Sequence, residues 1–529
     1  MLLPTTDRRA RWLALVLLAT VPLLYGALAL DFGQDANWDL RNYHWYNAYA
    51  YLDGRHGFDL LPSQTPYFYN PLLDTPFFLL AQAVPAPVAG FTLGVVQGTN
   101  FILLFLLAHA LLRLESALAR VGLAAALALA GLLGGGALGL VGTTFYDNVI
   151  SLGVTGSALV VTVGHRLMIT GPTGEALTRA FLAGLPIGMS MGLKQPSVLF
   201  GAGLCLALLA LGGPWQRRGL LALGFGFGAT AATLAFSGPW MLHLWREHGN
   251  PLFPYLNDLF QSPDGAVSDY RQKTFIPTGP VERLLFPLSW VADPLKVGET
   301  PFRDLHIPLL YVLLPAAGLV VLCTRHRPLM PAVAEPAPAR YLLLALATTY
   351  VLWLNAFSIY RYLIPLEMMA PLALALSAAL LPLSRRGWMM LTVALLVTAQ
   401  AAARPADWGR VPWGRHVVEA DIPPLPKGAM VLMGGYWAIS HVIPAFPPDI
   451  PFIRIQSNFQ QPDTRTRFAE AARRRVTSHR GPLFMLSTIP DTPDVARAAA
   501  RLGLELDRDS CQPIANNLGE SLNLCPVYR

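Results

Sequence analysis

Two carboxylates near the N-terminus have a residue type and a spacing that suit proton transfer. Asp35 and Asp39 are four residues apart, so both would share one face if this segment is helical. Tyr43 and His44 follow one turn later and add a hydroxyl group and an imidazole. A carboxylate can accept the proton of a hydroxyl group while that oxygen attacks a carbon atom. Asp35 and Asp39 are therefore candidate catalytic residues, with Tyr43 and His44 as supporting residues.

The same stretch is rich in aromatic side chains, which leaves a second interpretation open. Tryptophan and tyrosine are enriched at membrane–water interfaces in general. An interfacial helix with solvated acids would therefore account for the aromatic residues, while the acid pair beside Arg41 and Asn42 favours a functional site. The aromatic residues are Trp38, Tyr43, Trp45, Tyr46, Tyr49 and Tyr51.

Three more charged residues stand at the ends of apolar segments. Lys194 and Arg361 are candidates to bind a phosphate group, because cationic donors form strong hydrogen bonds with phosphate oxygens. A lysine that extends to lipid headgroups is the alternative for Lys194. Asp147 is predicted to support the acceptor or the active site, and a helix-capping carboxylate is its alternative.

Other reaction types lack their motifs. The sequence contains no HExxH, CxxC or GxxxxGK[ST] pattern. Its net charge of +7 comes from small basic clusters between apolar segments, which is typical of membrane-protein loops and does not form a nucleic-acid-binding face. We therefore predict no metal centre and no nucleic-acid partner.

The elements that position these residues are predicted to be membrane-spanning helices. Of the 529 residues, 53% are hydrophobic and 13% are charged, against roughly a quarter charged in soluble proteins. Segments of about 20 apolar residues, enough to cross the hydrocarbon layer, recur along the chain. The predicted spans are 12–30, 88–112, 121–141, 148–168, 177–193, 196–212, 219–241, 306–324, 339–358, 362–382 and 387–403.

The basic clusters orient these 11 spans. If residues 71–84 form an interfacial segment rather than a span, every basic cluster of a short loop falls on one side, which is the cytoplasmic side by the positive-inside rule. The sequence thus predicts an all-α protein of a bacterial inner membrane, with the N-terminus inside and the C-terminus outside. The clustered residues are Arg8, Arg9, Arg11, Arg113, Arg120, His165, Arg166, Arg179, Arg217, Arg218, Arg325, Arg327, Arg340, Arg385 and Arg386.

This arrangement of spans divides the chain into two domains. Residues 1–403 form the transmembrane domain, with large outer loops at 31–87 and 242–305, and residues 404–529 form a small extracytoplasmic α/β domain. All the candidate site residues then belong to the outer side. Cys511 and Cys525 lie in the α/β domain, where a disulfide is as well supported as two free thiols.

The arrangement resembles the GT-C superfamily of integral-membrane glycosyltransferases. The resemblance is carried by Asp-Leu-Arg-Asn-Tyr-His at 39–44, Leu-Asp-Gly at 52–54, Tyr-Asp-Asn at 146–148, Tyr-Arg-Tyr at 360–362 and Gly-Asn-Pro-Leu-Phe-Pro at 249–254. The acidic doublet common in that superfamily is absent, so the choice between Asp35 and Asp39 stays open.

The resemblance implies a polyprenyl-phosphate-linked sugar as donor, inversion at the anomeric carbon and an acceptor in the cell envelope. In that reaction Asp39 would act as the base, Lys194 and Arg361 would bind the donor phosphate, and no cofactor would be needed. The competing predictions are a transporter or flippase of lipid-linked glycans, which would need ionisable residues inside its spans, a polymerase or ligase of surface polysaccharide, and an assembly factor without catalytic activity.

Overall fold

The computed structural model describes residues 7–324, 328–489 and 491–529, and the chain divides into two compact units. Unit 1 contains Met1–Asp31, Thr92–Gly238 and Gln272–Trp408, and unit 2 contains Phe32–Phe91, Pro239–Arg271 and Gly409–Arg529. Much of the two predicted outer loops thus belongs to the same unit as the C-terminal part. Arg325 and Arg327, predicted to lie in an inner loop, fall outside the described residues.

The chain is mostly helical. Its helices are α1 (Arg8–Phe32), α2 (Trp45–Leu52), α3 (Thr75–Ala83), α4 (Ala86–Gly98), α5 (Asn100–Leu111), α6 (Ala117–Leu132), α7 (Gly135–Gly139), α8 (Asp147–Thr170), α9 (Thr173–Leu193), α10 (Val198–Ala207), α11 (Trp215–His248), α12 (Asn257–Phe260), α13 (Pro280–Ala292), α14 (His306–Cys323), α15 (Met330–Val333), α16 (Pro336–Ala356), α17 (Ile364–Ala378), α18 (Arg385–Ala402), α19 (Arg467–Ser478) and α20 (Thr492–Ala500).

Within the described part of the chain, seven helical stretches are long and apolar enough to cross a membrane. They are α1, Ala86–Leu111, α8, α9, α11, α14 and α16. A multi-pass membrane protein is therefore supported by length and composition, and the count of 11 spans stays a prediction. Helix α3 has nine residues, about 14 Å at 1.5 Å per residue, which is far short of a bilayer's hydrocarbon core.

One predicted span is interrupted. The sequence predicts a helix over 121–141, but α6 ends at Leu132 and a separate short helix begins at Gly135. A Cβ atom at Gly134 would lie 2.2 Å from Oε1 of Glu367, and one at Gly135 would lie 2.1 Å from the carbonyl oxygen of Arg303. The glycines thus leave room for a carboxylate and for a neighbouring backbone segment.

Unit 2 contains the strands, namely β1 (Gln34–Asp35), β2 (Arg410–Val411), β3 (Ala420–Asp421), β4 (Met430–Met433), β5 (Phe452–Arg454), β6 (Leu483–Thr488), β7 (Glu505–Leu506), β8 (Gln512–Asn516) and β9 (Leu522–Tyr528). Among described residues, seven strands form one sheet in the order β3-β8-β9-β6-β4-β5, with β7 paired to β9. Strand β4 is parallel to β5 and β6, whereas β9 is antiparallel to β6.

The sheet of unit 2 is covered on both faces. Along β4, Val431 and Met433 pack into one apolar cluster, while Met430 and Leu432 pack into another. Alternate residues of a strand point to opposite faces, so a strand buried on both faces is apolar throughout. The predicted C-terminal domain of strands and helices is present in this form.

A disulfide joins Cys511 and Cys525, which settles the question that their spacing left open. The bridge closes a loop with a sequence separation of 14, and a disulfide across a loop of this length stabilises a protein by about 3 kcal/mol in the chain-entropy account.

Cys511→Ser with Cys525→Ser is therefore expected to lower the apparent melting temperature of the full chain in detergent. The control is Cys323→Ser, which removes an exposed free thiol. Equal melting of both variants and the wild type would contradict this expectation.

Candidate functional site

An ion pair at the start of α8 joins two of the predicted site residues in unit 1. Asp147 is the first residue of α8, and Lys194 directly follows α9. The Lys194 Nζ atom donates to Asp147 Oδ1 at 2.7 Å and to the carbonyl oxygen of Phe145 at 2.8 Å. The exposed fractions of the two side chains are 16% for Lys194 and 5% for Asp147, so the pair is largely shielded from water. Asp147 therefore positions a cation at this end of α8.

Arg361 completes this group of charges. It lies in a 3-10 turn, Tyr360–Leu363, which leads into α17. One guanidinium nitrogen is 3.9 Å from Asp147 Oδ2, and the guanidinium carbon lies 4.1 Å from the Phe145 ring centre and 5.2 Å from that of Trp408. Planar guanidinium groups stack on aromatic faces and bind oxyanions through paired hydrogen bonds. The structure thus gathers Asp147, Lys194 and Arg361, as their placement in the sequence predicts.

Two cavities in unit 1 adjoin these cations. The first, called the Arg361 cavity below, is lined by Arg361, Tyr360, Trp408, Phe302, Gly136 and Val297. The second is lined by Asp147, Lys194, Tyr362, Ser197, Phe200 and Pro365. Trp408 and Phe145 were not predicted as site residues, because a ring that stacks on an arginine leaves no mark on sequence spacing.

The sequence analysis also did not identify a buried acidic cluster next to the Arg361 cavity. Glu367 in α17 is fully buried, and its carboxylate accepts backbone N–H groups of Gly136 at 3.2 Å and Ala137 at 2.8 Å. Asp304 accepts from Gly135 N at 2.9 Å, and its Oδ2 atom lies 2.8 Å from the His306 ring. An acid inside the predicted span 362–382 was the available signal, since carboxylates are rare in spans and mark functional sites there.

The first loop, in unit 2, is organised differently from the prediction. Asp35 lies on β1, which pairs with β2, and helical backbone begins only at Trp38. The prediction that the two acids share one helical face is therefore wrong, because strand pairing with Arg410 and Val411 holds the chain extended at Asp35.

The two acids also differ in their contacts. Asp35 is 4% exposed and accepts from the Asn37 backbone at 3.1 Å and from the Asn37 side chain at 2.8 Å. Asp39 is more exposed, and its Oδ2 atom accepts from the Tyr43 hydroxyl at 3.1 Å. Asp35 thus braces its own loop, whereas Asp39 is the more accessible carboxylate.

A π-helical turn, Leu40–His44, follows Asp39 and leads into α2. It directs His44 to Asp74, whose Oδ1 atom is 2.6 Å from His44 Nδ1, and both side chains are buried. The Tyr43 ring meets the Tyr69 ring edge-on at 5.3 Å. Such turns recur at functional sites because they re-aim side chains within a helix. Asp74 is therefore the partner that orients His44, which the sequence did not indicate.

The positive charge near His441 in unit 2 is carried by Arg41. Arg41 forms an ion pair with Glu520, and burial lowers its pKa despite the opposing effect of Asp35. His441 lies close by, and burial together with the Arg41 charge lowers its pKa to about 3. His441 is therefore neutral at neutral pH and leaves the positive charge to Arg41.

The predicted site residues thus form two groups. Asp147, Lys194 and Arg361 meet in unit 1, whereas Asp35, Asp39, Tyr43 and His44 belong to unit 2. Comparison with protein-family models, with curated proteins and with solved structures finds no match to this chain. The functional assignment therefore depends on the residues and their geometry.

Proposed function

We propose that this protein is an inverting glycosyltransferase, which moves a hexose or a pentose from a polyprenyl-phosphate donor to an extracytoplasmic acceptor. One observation carries the proposal. Lys194 and Arg361, from two different elements, gather at Asp147 beside cavities lined by aromatic and apolar side chains. Two shielded cations beside an apolar surface suit a phosphate that is esterified to a lipid.

The reaction assigns a role to each group. The acceptor hydroxyl loses its proton to Asp39 while its oxygen bonds to the anomeric carbon of the sugar. The bond from that carbon to the phosphate oxygen breaks, and the electron pair leaves with polyprenyl phosphate. Lys194 and Arg361 stabilise the charge on this leaving group. Attack opposite the leaving group inverts the configuration of the sugar.

The contacts of the first loop support Asp39 as the base. Asp35 is buried and already accepts two kinds of hydrogen bond from Asn37. Asp39 is more accessible, and its Oδ2 atom accepts a hydrogen bond from the Tyr43 hydroxyl at 3.1 Å. His44, oriented by Asp74, and Tyr43 support the same loop.

The segments of unit 2 support the proposed orientation with 11 spans. Lipid-exposed sheet edges and irregular loops do not occur within the hydrocarbon layer, so the proposal assigns the segments of unit 2 to one aqueous side. The chain must then cross an even number of times between successive segments of this unit. The predicted spans number six between 88 and 241 and four between 306 and 403, and a single span precedes them.

The disulfide supports the outer side for unit 2, because disulfides persist in the periplasm and are rare in the cytosol. A reporter that is active only in the periplasm, fused after residue 403, is expected to be active in a bacterial host. Silence of that fusion, with activity of the same reporter fused after Arg218, would reverse the orientation.

One observation favours a second candidate function, transport of a lipid-linked glycan. Glu367 is a buried carboxylate within a predicted span, and His306 and Asp304 lie in the same cluster. Transporters use such residues along their substrate pathways. The acids here are held by backbone N–H groups around Gly135 and Gly136, which suits a structural role near Arg361 equally well.

The proposal is tested with membranes that contain the protein and a panel of polyprenyl-phosphate sugars. Transfer of one sugar into envelope material, with release of polyprenyl phosphate, is the expected result. Glycan profiling of a deletion strain then identifies the acceptor. Absence of transfer from every donor in the panel, with the protein folded and in the membrane, would contradict the proposal.

A further inference from the structure

Helix α13, which lies within the predicted outer loop 242–305, has an exposed apolar face that a loop in water would not explain. Val281, Leu284, Leu285 and Leu288 follow the i, i+3, i+4, i+7 spacing of one helical face, and their exposed fractions are 67%, 64%, 47% and 46%. Thirteen residues span about 20 Å at 1.5 Å per residue, which is too short to cross the hydrocarbon layer. A helix with these properties lies along the membrane surface.

Contacts within unit 1 fix the depth of α13. The Tyr311 hydroxyl donates to the carbonyl oxygen of Leu284 at 2.7 Å, and Tyr311 lies five residues inside α14, about 7 Å along its axis. Arg283 donates to the Asn355 side chain at 3.0 Å, near the end of α16. Both α14 and α16 are candidate spans, so the exposed leucines of α13 lie at the level of the lipid chains rather than in water.

The opposite face of α13 packs toward the Arg361 cavity. Trp290 and Phe286 are buried, and the Trp290 ring lies 5.8 Å from the Trp353 ring and 5.9 Å from that of Tyr360, the neighbour of Arg361. The chain then continues from α13 into Val297, whose carbonyl oxygen accepts the Tyr360 N–H group at 2.7 Å. Residues Val297, Gly298, Thr300 and Phe302 line the cavity together with Arg361.

From this continuity we infer that α13 binds the isoprenoid chain of the donor, with the donor phosphate at Arg361. The inference rests on the proposed function and names the element that recognises the lipid. Ordinary phospholipid could cover the same leucines. Only a lipid whose phosphate lies at the Arg361 cavity would contact both the exposed face of α13 and the segment that leads from α13 to Arg361. The interaction is apolar along α13 and ionic at its end.

A photo-crosslinking experiment tests this inference without any transfer reaction. The probe is polyprenyl monophosphate with a diazirine in its third isoprene unit, added to the purified full chain in nanodiscs. Labelled peptides from 280–292 are expected, and excess unlabelled polyprenyl phosphate should abolish the labelling whereas excess phosphatidylglycerol should not. No label on α13, or equal competition by phosphatidylglycerol, would mean that α13 contacts bulk lipid only and would overturn the inference.

A kinetic experiment separates chain recognition from catalysis. Leu284→Asn with Leu288→Asn is expected to raise KM for a long-chain donor about tenfold, while kcat and the KM for a two-isoprene donor stay unchanged. The matched control is Leu319→Asn with Leu322→Asn, which changes two exposed leucines of α14 far from the cavity. An equal rise in KM for both donors would overturn the inference. Absence of transfer by the wild type would instead contradict the proposed function, and the crosslinking result would still decide the role of α13.

Discussion

Asp39→Asn is expected to lower kcat for sugar transfer by about 10² to 10⁴, the range that a positioned general base contributes. Asparagine keeps the size of the side chain and can still bond to the Tyr43 hydroxyl, so the loop should stay folded. It cannot accept the proton of the attacking hydroxyl group. Because binding is little affected, the loss should appear in kcat rather than in KM. Rates are measured with the donor that the panel identifies.

Two other substitutions make the Asp39 experiment decisive. Asp31→Asn is the matched control, since Asp31 is an exposed acid near the end of α1, shortly before this loop, and should leave transfer unchanged. Asp35→Asn replaces one of the two carboxylate oxygens that accept from Asn37 with an NH2 group, and it should lower the melting temperature more than it lowers kcat in the folded fraction. Full transfer by a folded Asp39→Asn variant, with loss in Asp35→Asn, would exchange the roles of the two acids.

Arg361→Gln is expected to lower kcat by about 10² to 10³, as removal of one group that stabilises developing charge does in other enzymes. Arg361→Lys should recover part of this loss, because lysine restores the charge but neither stacks on the Phe145 ring as a planar guanidinium does nor offers paired donors. The order wild type, lysine, glutamine is therefore the expected result. Transfer rates and the binding of polyprenyl phosphate are measured for all three.

The control for Arg361 is Arg386→Gln, an exposed arginine at the start of α18 and on the predicted cytoplasmic side. It should leave transfer unchanged. If Arg361→Gln bound and used the donor as the wild type does, the phosphate would not lie at Arg361. If Arg361→Lys were as inactive as Arg361→Gln, charge alone would be excluded as the explanation.

The features predicted best from the sequence are those that depend on local pattern. Apolar length identifies α8, α9, α14 and α16, because a helix that crosses lipid must satisfy its own backbone and be apolar along its length. The predicted α/β domain likewise contains β4 and β5. On the predicted outer side, charged residues at the ends of spans are few, so the meeting of Lys194 and Arg361 at Asp147 could also be predicted.

Features that depend on distant partners were not predicted. Asp35 is extended because β2, more than 370 residues later, pairs with it, and nothing within the loop indicates this pairing. The break after α6 depends on Glu367 and Arg303 approaching the glycines. Asp74 could not be identified as the partner of His44, because a contact across 30 residues leaves no periodic signal.

The central claim is that the bond between sugar and phosphate breaks on this protein, and a doubly labelled donor tests it most directly. The donor carries ³H in its sugar and ³²P in its phosphate and is added to proteoliposomes that contain the purified chain and envelope acceptor material. A glycosyltransferase separates the labels, with ³H in the acceptor and an equal amount of ³²P in polyprenyl phosphate. Movement of both labels together to the other leaflet, with none in the acceptor, would contradict the account and identify a transporter.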